Sequence, residues 1–417
     1  MKRYMAAAIV ALVLGLLAAP AGASEDARVI EKSFDIGPGG KLVLEVKIGG
    51  DIQVEPWDRD EVHIEARITG RHREDVDVKF DTGRSRLDVK VETEKRRNVN
   101  ASCDLLVKVP REFDVEFETM GGDVQITGLK GEFSGTTMGG DLAFDGLEGR
   151  LEATTMGGDV VVERSKLDGK VKTMGGDVEI RDVTGDLKGS TMGGDVTYKD
   201  VRHTGKDSDD DDEVSISTFG GDLDLDYEGK NVKAKTMGGD VDVHRAEKVS
   251  VVTMGGDVDV DDAPSGASVT TMGGDITIGD AGEFVKAKTM GGDITVDAVD
   301  GWIAAETMGG DVNVTMVGNP GEGKRDIELK SMGGDIELTV PKGLSMEFDI
   351  EIKYTKNQKK KPRIISDFAV NVDEDEKWSS SWGQKHKKIY GTGSVNGGEH
   401  LVKIRTVNGD VIIREGK

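Results

Sequence analysis

TMGGDVEIRDVTGDLKGS, residues 173–190, is followed at Thr191 by the same five letters, and this return decides the fold. Thr-Met-Gly-Gly-Asp begins at Thr119, Thr137, Thr155, Thr173, Thr191, Thr236, Thr253, Thr271, Thr289 and Thr307. Two variants, Thr218-Phe219-Gly220-Gly221-Asp222 and Ser331-Met332-Gly333-Gly334-Asp335, complete the set. The spacing is 18 residues in most steps, with one step of 17, one of 27 and one of 24. A fixed short period marks a repeat architecture and outranks local signals. After each aspartate the residues alternate apolar and polar, as in Asp177-Val178-Glu179-Ile180, and a second alternating run such as Val232-Lys233-Ala234-Lys235 leads back to the next threonine. That is the period of strands with one buried face, and it predicts two to three short strands per unit. No stretch carries a helical period, which excludes leucine-rich and ankyrin repeats. Eighteen extended residues cover roughly 60 Å at about 3.3 Å each, enough to circle a narrow core and return one strand spacing, about 4.8 Å, higher. Twelve such turns would make a rod roughly 55 Å long. The expected class is all-β: a single-chain parallel β-solenoid, or β-helix, with ~18-residue rungs and β-rich terminal caps.

Each letter of the motif carries an expectation. The paired glycines suit a sharp corner repeated at every rung, where a positive φ is free only without a Cβ, so valine at Gly193 or Gly194 should strain it. A phosphate-cradling role is disfavoured because such loops open a helix, whereas here a strand follows. Methionine is expected to point inward as a flexible filler, consistent with Phe219 in the same slot. Pointing outward, it would form a thioether row able to take Cu(I) or scavenge oxidants. The aspartates Asp123, Asp141, Asp159, Asp177, Asp195, Asp222, Asp240, Asp257, Asp275, Asp293, Asp311 and Asp335 should stack. Like charges about 4.8 Å apart repel by roughly 0.9 kcal/mol per neighbour in water, so each carboxylate must be exposed, hydrogen-bonded, protonated or bridged by cations. The expected solution is a bond to amides of its own turn. The alternative is a Ca²⁺ ladder, reminiscent of the nonapeptide repeats of calcium-loaded β-rolls. No other cofactor is expected.

Breaks in the period fall where insertions belong outside the rod. The 27-residue step holds Asp207-Ser208-Asp209-Asp210-Asp211-Asp212-Glu213, a like-charge block of a solvated loop. The 24-residue step holds the turn Gly318-Asn319-Pro320-Gly321. The basic run Lys359-Lys360-Lys361-Pro362-Arg363 also reads as a loop. Further rungs are visible at Lys47–Val54, Ser394–Gly398 and Thr406–Val411. The chain thus divides into a signal peptide (1–23), an N-terminal β-rich cap with irregular rungs (24–118), the repeat solenoid (119–340) and a C-terminal β-rich cap with final rungs (341–417).

Lys2 and Arg3, an uncharged run from Tyr4 to Ala19 and Ala21-Gly22-Ala23 have the layout of a secretory signal peptide. The apolar run is shorter than the roughly 20 residues of a spanning helix, and none follows later. The expectation is an exported chain, periplasmic or at the cell surface, with no transmembrane segment after cleavage. Cys103, the single cysteine, excludes an intramolecular disulfide and reads as a buried strand residue. A formal charge of −24 excludes nucleic acid as a partner. Acids recur on every rung, while the histidines His63, His72, His203, His244, His386 and His400 are scattered without ligand or triad spacing. No catalytic residues emerge, and the chain reads as a non-enzyme. A polysaccharide-acting β-helix enzyme, which needs an irregular acid pair, is the weakest alternative.

Phe34-Asp35-Ile36 with Gly39-Gly40, Gly49-Gly50-Asp51-Ile52-Gln53-Val54, Trp57-Asp58 and Val62, Val107-Lys108-Val109-Pro110, and Thr406-Val407-Asn408-Gly409-Asp410-Val411-Ile412-Ile413 together resemble a bacterial family of β-strand repeats. This is the "putative adhesin" family, domain of unknown function 4097. Here Met-Gly-Gly stands where Val-Asn-Gly is common in that family. The resemblance spans nearly the whole chain after residue 23. It implies a β-solenoid of the cell envelope, an adhesin or structural scaffold binding an unidentified envelope or cell-surface partner, protein or polysaccharide. It supplies no catalytic residues.

Overall fold

The computed structural model describes residues 27–93, 99–202, 213–229, 231–358, 360–381 and 384–416. The signal-peptide segment, the acidic block Asp207–Asp212, His203 and Lys359 lie outside the described residues. Among those residues the single helical element is the short turn Arg73–Asp75, and everything else regular is strand. The chain is a parallel β-solenoid.

Each rung contributes two strands, the lower end of the expected range. In the rung beginning at Asp177, Val178–Arg181 leads away from the corner and Leu187–Ser190 returns to it. The leading strands stack in one sheet, with Val160, Val178 and Val196 in register, and the returning strands stack in a second, with Leu151, Gly169 and Leu187 aligned. Alternation then sorts the side chains: Val178 and Ile180 go to the core, while Glu179 and Arg181 stay outside and pair with each other. The two sheets face one another. A Cβ at Gly189 on the returning strand would press on Val178, Ile180 and the Tyr198 hydroxyl of the leading strands. Tyr198 spans that space, accepting the Gly189 amide at 2.5 Å and donating to the Leu187 carbonyl at 3.1 Å. The core is one continuous stack of Val, Ile, Leu, Ala and a few aromatics.

The shorter insertion leaves the flanking register intact, while beside the long one the leading strand carries a one-residue bulge between Tyr198 and Val201. Val196 pairs with Leu223 across the long step, and Val312 with Ile336 across the shorter one. Gly318–Gly321 is fastened by Arg325, which is 2 % exposed and donates to the carbonyls of Val317 (2.7 Å) and Glu322 (2.9 Å) and to the Asp300 carboxylate (2.5 Å).

The ends depart from chain order. At the N-terminal end the leading strand Ile52–Pro56 lies between Ser102–Val109 and Val124–Thr127, and Gly40–Val46 lies between Arg86–Thr93 and Phe113–Thr119. Antiparallel strands finish the stack, with Val76–Thr82 on Arg86–Thr93 and Arg28–Phe34 on Val62–Thr69. At the other end His400–Val407 and Val411–Glu415 form the next rung after Ser331–Val340, and Met346–Thr355 packs beyond them, covered by the antiparallel strand Gln384–Val395. Val76–Thr82 and Ser379–Ser381 each pair on one side, so the returning sheet is open rather than a closed barrel.

Candidate functional site at the repeat corner

The corner where a returning strand ends and the next leading strand begins is the one feature repeated at every rung. Threonine belongs to the returning strand and faces inward, buried in every copy. Its hydroxyl serves two rungs at once. Thr271 Oγ1 donates to the Gly256 carbonyl one rung below at 3.0 Å and accepts the Gly274 amide of its own rung at 3.3 Å. The same pair of bonds recurs from Thr155 to Thr307, and Ser331 keeps both. A buried hydroxyl is tolerated because its donor and an acceptor site are both used.

With threonine inward, strand alternation sends the next residue outward, and this corrects the expectation that methionine fills the core. Every repeat methionine is exposed, from 42 % at Met290 to 61 % at Met332, and Phe219 in the same position is 58 % exposed. The apolar slot at the corner is already taken by the threonine, and the two glycines that follow offer no side chain to fold over the methionine. The described methionines outside the row, Met316 and Met346, are buried. The solenoid therefore carries one line of thioethers along its length.

The glycine pair also needs a correction. Gly50 and Gly122 have positive φ, but the second glycines from Gly140 to Gly334 do not. Their requirement is close approach: a Cβ on Gly194 would overlap the Gly176 carbonyl of the rung below. Gly193 has only ordinary contacts, the nearest at 3.5 Å. Strain from a side chain thus belongs to the second glycine, not to both.

All twelve repeat aspartates fall in one line, exposed or half-exposed. Each Oδ1 accepts the backbone amide of the aspartate one rung on, as in Asp195 to Asp177 at 2.8 Å and Asp275 to Asp257 at 2.8 Å. The expected partner was an amide of the same turn; the actual one lies in the next rung, because parallel stacking places that N–H directly above the carboxylate. The ladder is longer than the repeat. It starts with Asp51 donating to Asp104, passes from Asp51 to Asp123, and ends with Asp410 donating to Asp335 and the Arg363 amide donating to Asp410. Gly49-Gly50 and Asn408-Gly409 flagged the end members Asp51 and Asp410, but nothing in the local sequence marked Asp104. Burial raises the Asp177 carboxyl above the ordinary range, against the amide bond from Asp195, and the neighbours Asp159 and Asp195 push the same way. At the far end, burial would raise Asp410, but Lys360 at 3.0 Å and the Arg363 amide outweigh it and hold the carboxyl low. The basic run thus closes the acidic line within the same chain, and Lys361 pairs with Glu374.

Elsewhere, His244 sits between Asp224 (3.1 Å) and Asp261 (2.9 Å), and its bond to Asp261 raises its pKa. Cys103 is fully buried, and desolvation pushes its thiol up to about 12, an inert state. Among the described residues no group of three or more His, Cys, Asp or Glu side chains is placed to hold a metal ion, and no helix is long and apolar enough to cross a membrane.

A family model described as Toastrack DUF4097 matches residues 40–231 and 205–414. Among solved structures, one described as a putative cell adhesion protein from Clostridium sporogenes is 8% identical with a TM-score of 0.18, covering 93% of this chain and 100% of that one. A putative adhesin from Bacteroides fragilis is 12% identical (TM-score 0.27; 64% of this chain, 96% of that one). A putative lipid binding protein from Parabacteroides distasonis is 13% identical (TM-score 0.25; 71% and 98%). No curated protein matches the sequence.

Proposed function

Because this chain belongs to the Toastrack DUF4097 family, we propose that it is an exported scaffold of the cell envelope that holds a surface partner through many identical weak contacts. The observation that carries this reading is the uniformity of the corner: methionine outside, aspartate beside it and threonine beneath, repeated at each rung in one line. Weak contacts at a fixed spacing add through effective concentration, so affinity comes from the number of rungs rather than from one deep pocket. The signal-peptide layout of residues 1–23 supports export. The scattered histidines and the evenly spaced acids support a non-catalytic role, since glycoside cleavage needs one irregular carboxyl pair.

Sedimentation of the purified protein with isolated bacterial cell envelopes tests the reading. Deleting Met254–Thr289 removes two whole rungs and leaves the register continuous from Thr253 to Met290. Multivalent binding predicts that this shorter rod is retained several-fold less than the full one. Equal retention of both, or retention of neither, overturns the proposal.

A further inference from the structure

We propose that the methionine row is a binding track for Cu(I), a soft cation held between the thioethers of successive rungs. A strip used only for apolar contact would accept Leu, Ile or Val, which this chain uses freely in its core. At the exposed corner it instead carries methionine in eleven of twelve repeats, and exposed methionine occurs nowhere else among the described residues. The thioether is the property that distinguishes methionine from those residues, and soft sulfur ligands select Cu(I).

Successive rungs are about 4.8 Å apart. Two metal–sulfur bonds of about 2.3 Å laid end to end span about 4.6 Å. A d¹⁰ ion in linear two-coordination therefore fits between neighbouring sulfurs with no change in the backbone, and the three rotatable bonds of methionine absorb the remainder. Neutral thioethers also stack without repulsion. The acidic line three residues further along each rung supplies an attractive potential for a cation, while its Oδ1 atoms are already engaged by amides. Cys103, the one thiol, is buried and does not compete.

The inference goes beyond the scaffold reading and stands without it: a rod that takes copper but does not sediment with envelopes loses only the scaffold reading. The test is anaerobic competition of the purified full chain against bicinchoninate-bound Cu(I), with the methionine methyls followed by carbon-13 NMR. The wild type should strip copper from the chelator and saturate near one ion per pair of row methionines, about five per chain, with the row methyl signals shifting together. The triple variant Met254→Leu, Met272→Leu, Met290→Leu keeps the apolar surface and removes three sulfurs from solvent-exposed positions, so its circular dichroism and thermal midpoint should match the wild type. Its copper capacity should fall by about two ions. Unchanged capacity in this variant, or failure of the wild type to compete, overturns the inference. Copper-independent association of both proteins into larger particles without competition would also overturn it, in favour of an apolar docking strip.

Discussion

At the scale of single residues, the five letters of the motif divide the work unequally, and the sequence disclosed some roles and concealed others. The aspartate and glycine positions were plain from their repetition. Their reasons were not, because those reasons lie in the neighbouring rung: the carboxylate meets an amide 18 residues on in most steps, and the second glycine meets a carbonyl 18 residues back. Methionine's hydrophobicity suggests burial, but the inward threonine fixes the strand's phase and turns the methionine out. A polar residue in the core is legible only once its two hydrogen bonds are seen. Gly194→Ala should therefore cost about 1–3 kcal/mol through overlap with the rung below, while Gly193→Ala stays within about 0.5 kcal/mol; parallel thermal melts decide, and equal costs would refute the distinction. Thr271→Val keeps the shape but strands the Gly256 carbonyl and the Gly274 amide. It should cost about 1–3 kcal/mol and speed hydrogen exchange at the Gly274 amide, and an unchanged exchange rate would count against the bridge.

At the scale of elements, the aspartate line is a hydrogen-bonded strip running across the rungs. Each carboxylate already holds an amide, so the fold has its own answer to the charge repulsion. The thermal midpoint in chelator and in millimolar Ca²⁺ should then agree within a few degrees, whereas a rise of some ten degrees or more would make the strip a calcium site. His244 gives a pH signature on the leading strand Val241–Arg245. Its folded pKa is raised by Asp261 and Asp224. Its contribution to stability is accordingly complete below the ordinary histidine value of about 6.5 and fades as pH rises through the raised folded value. His244→Gln should lower the midpoint at pH 5 and leave it nearly unchanged at pH 9; a deficit that persists at pH 9 would assign the residue a packing role. The Gly318–Gly321 turn was legible from its composition, but its anchor Arg325 was not, since nothing local announces an arginine that folds back to Val317, Glu322 and Asp300.

At the scale of the whole molecule, periodicity alone gave the solenoid, because a strict repeat fixes which residues stack on which. It could not give the ends, where strands pair out of chain order by contacts across 45 to 75 residues. A chain stopped after Gly398 would lack the rung that Met346–Thr355 lies against, while Ser331–Val340 would keep an open edge. Such a chain should aggregate on purification although every Thr-Met-Gly-Gly-Asp copy is present, and a monomeric, fully cooperative truncated chain would contradict this. The same interleaving has a consequence for how the molecule is born. A polypeptide emerging N-terminus first can stack its middle turns as they appear, but Gly40–Val46 and Ile52–Pro56 must wait for Phe113–Thr127, and Met346–Thr355 must leave room for residues not yet made. The rung His400–Glu415 works like a keystone: until it arrives, Ser331–Val340 and Met346–Thr355 each present a raw face, and once it is seated the two are joined through it.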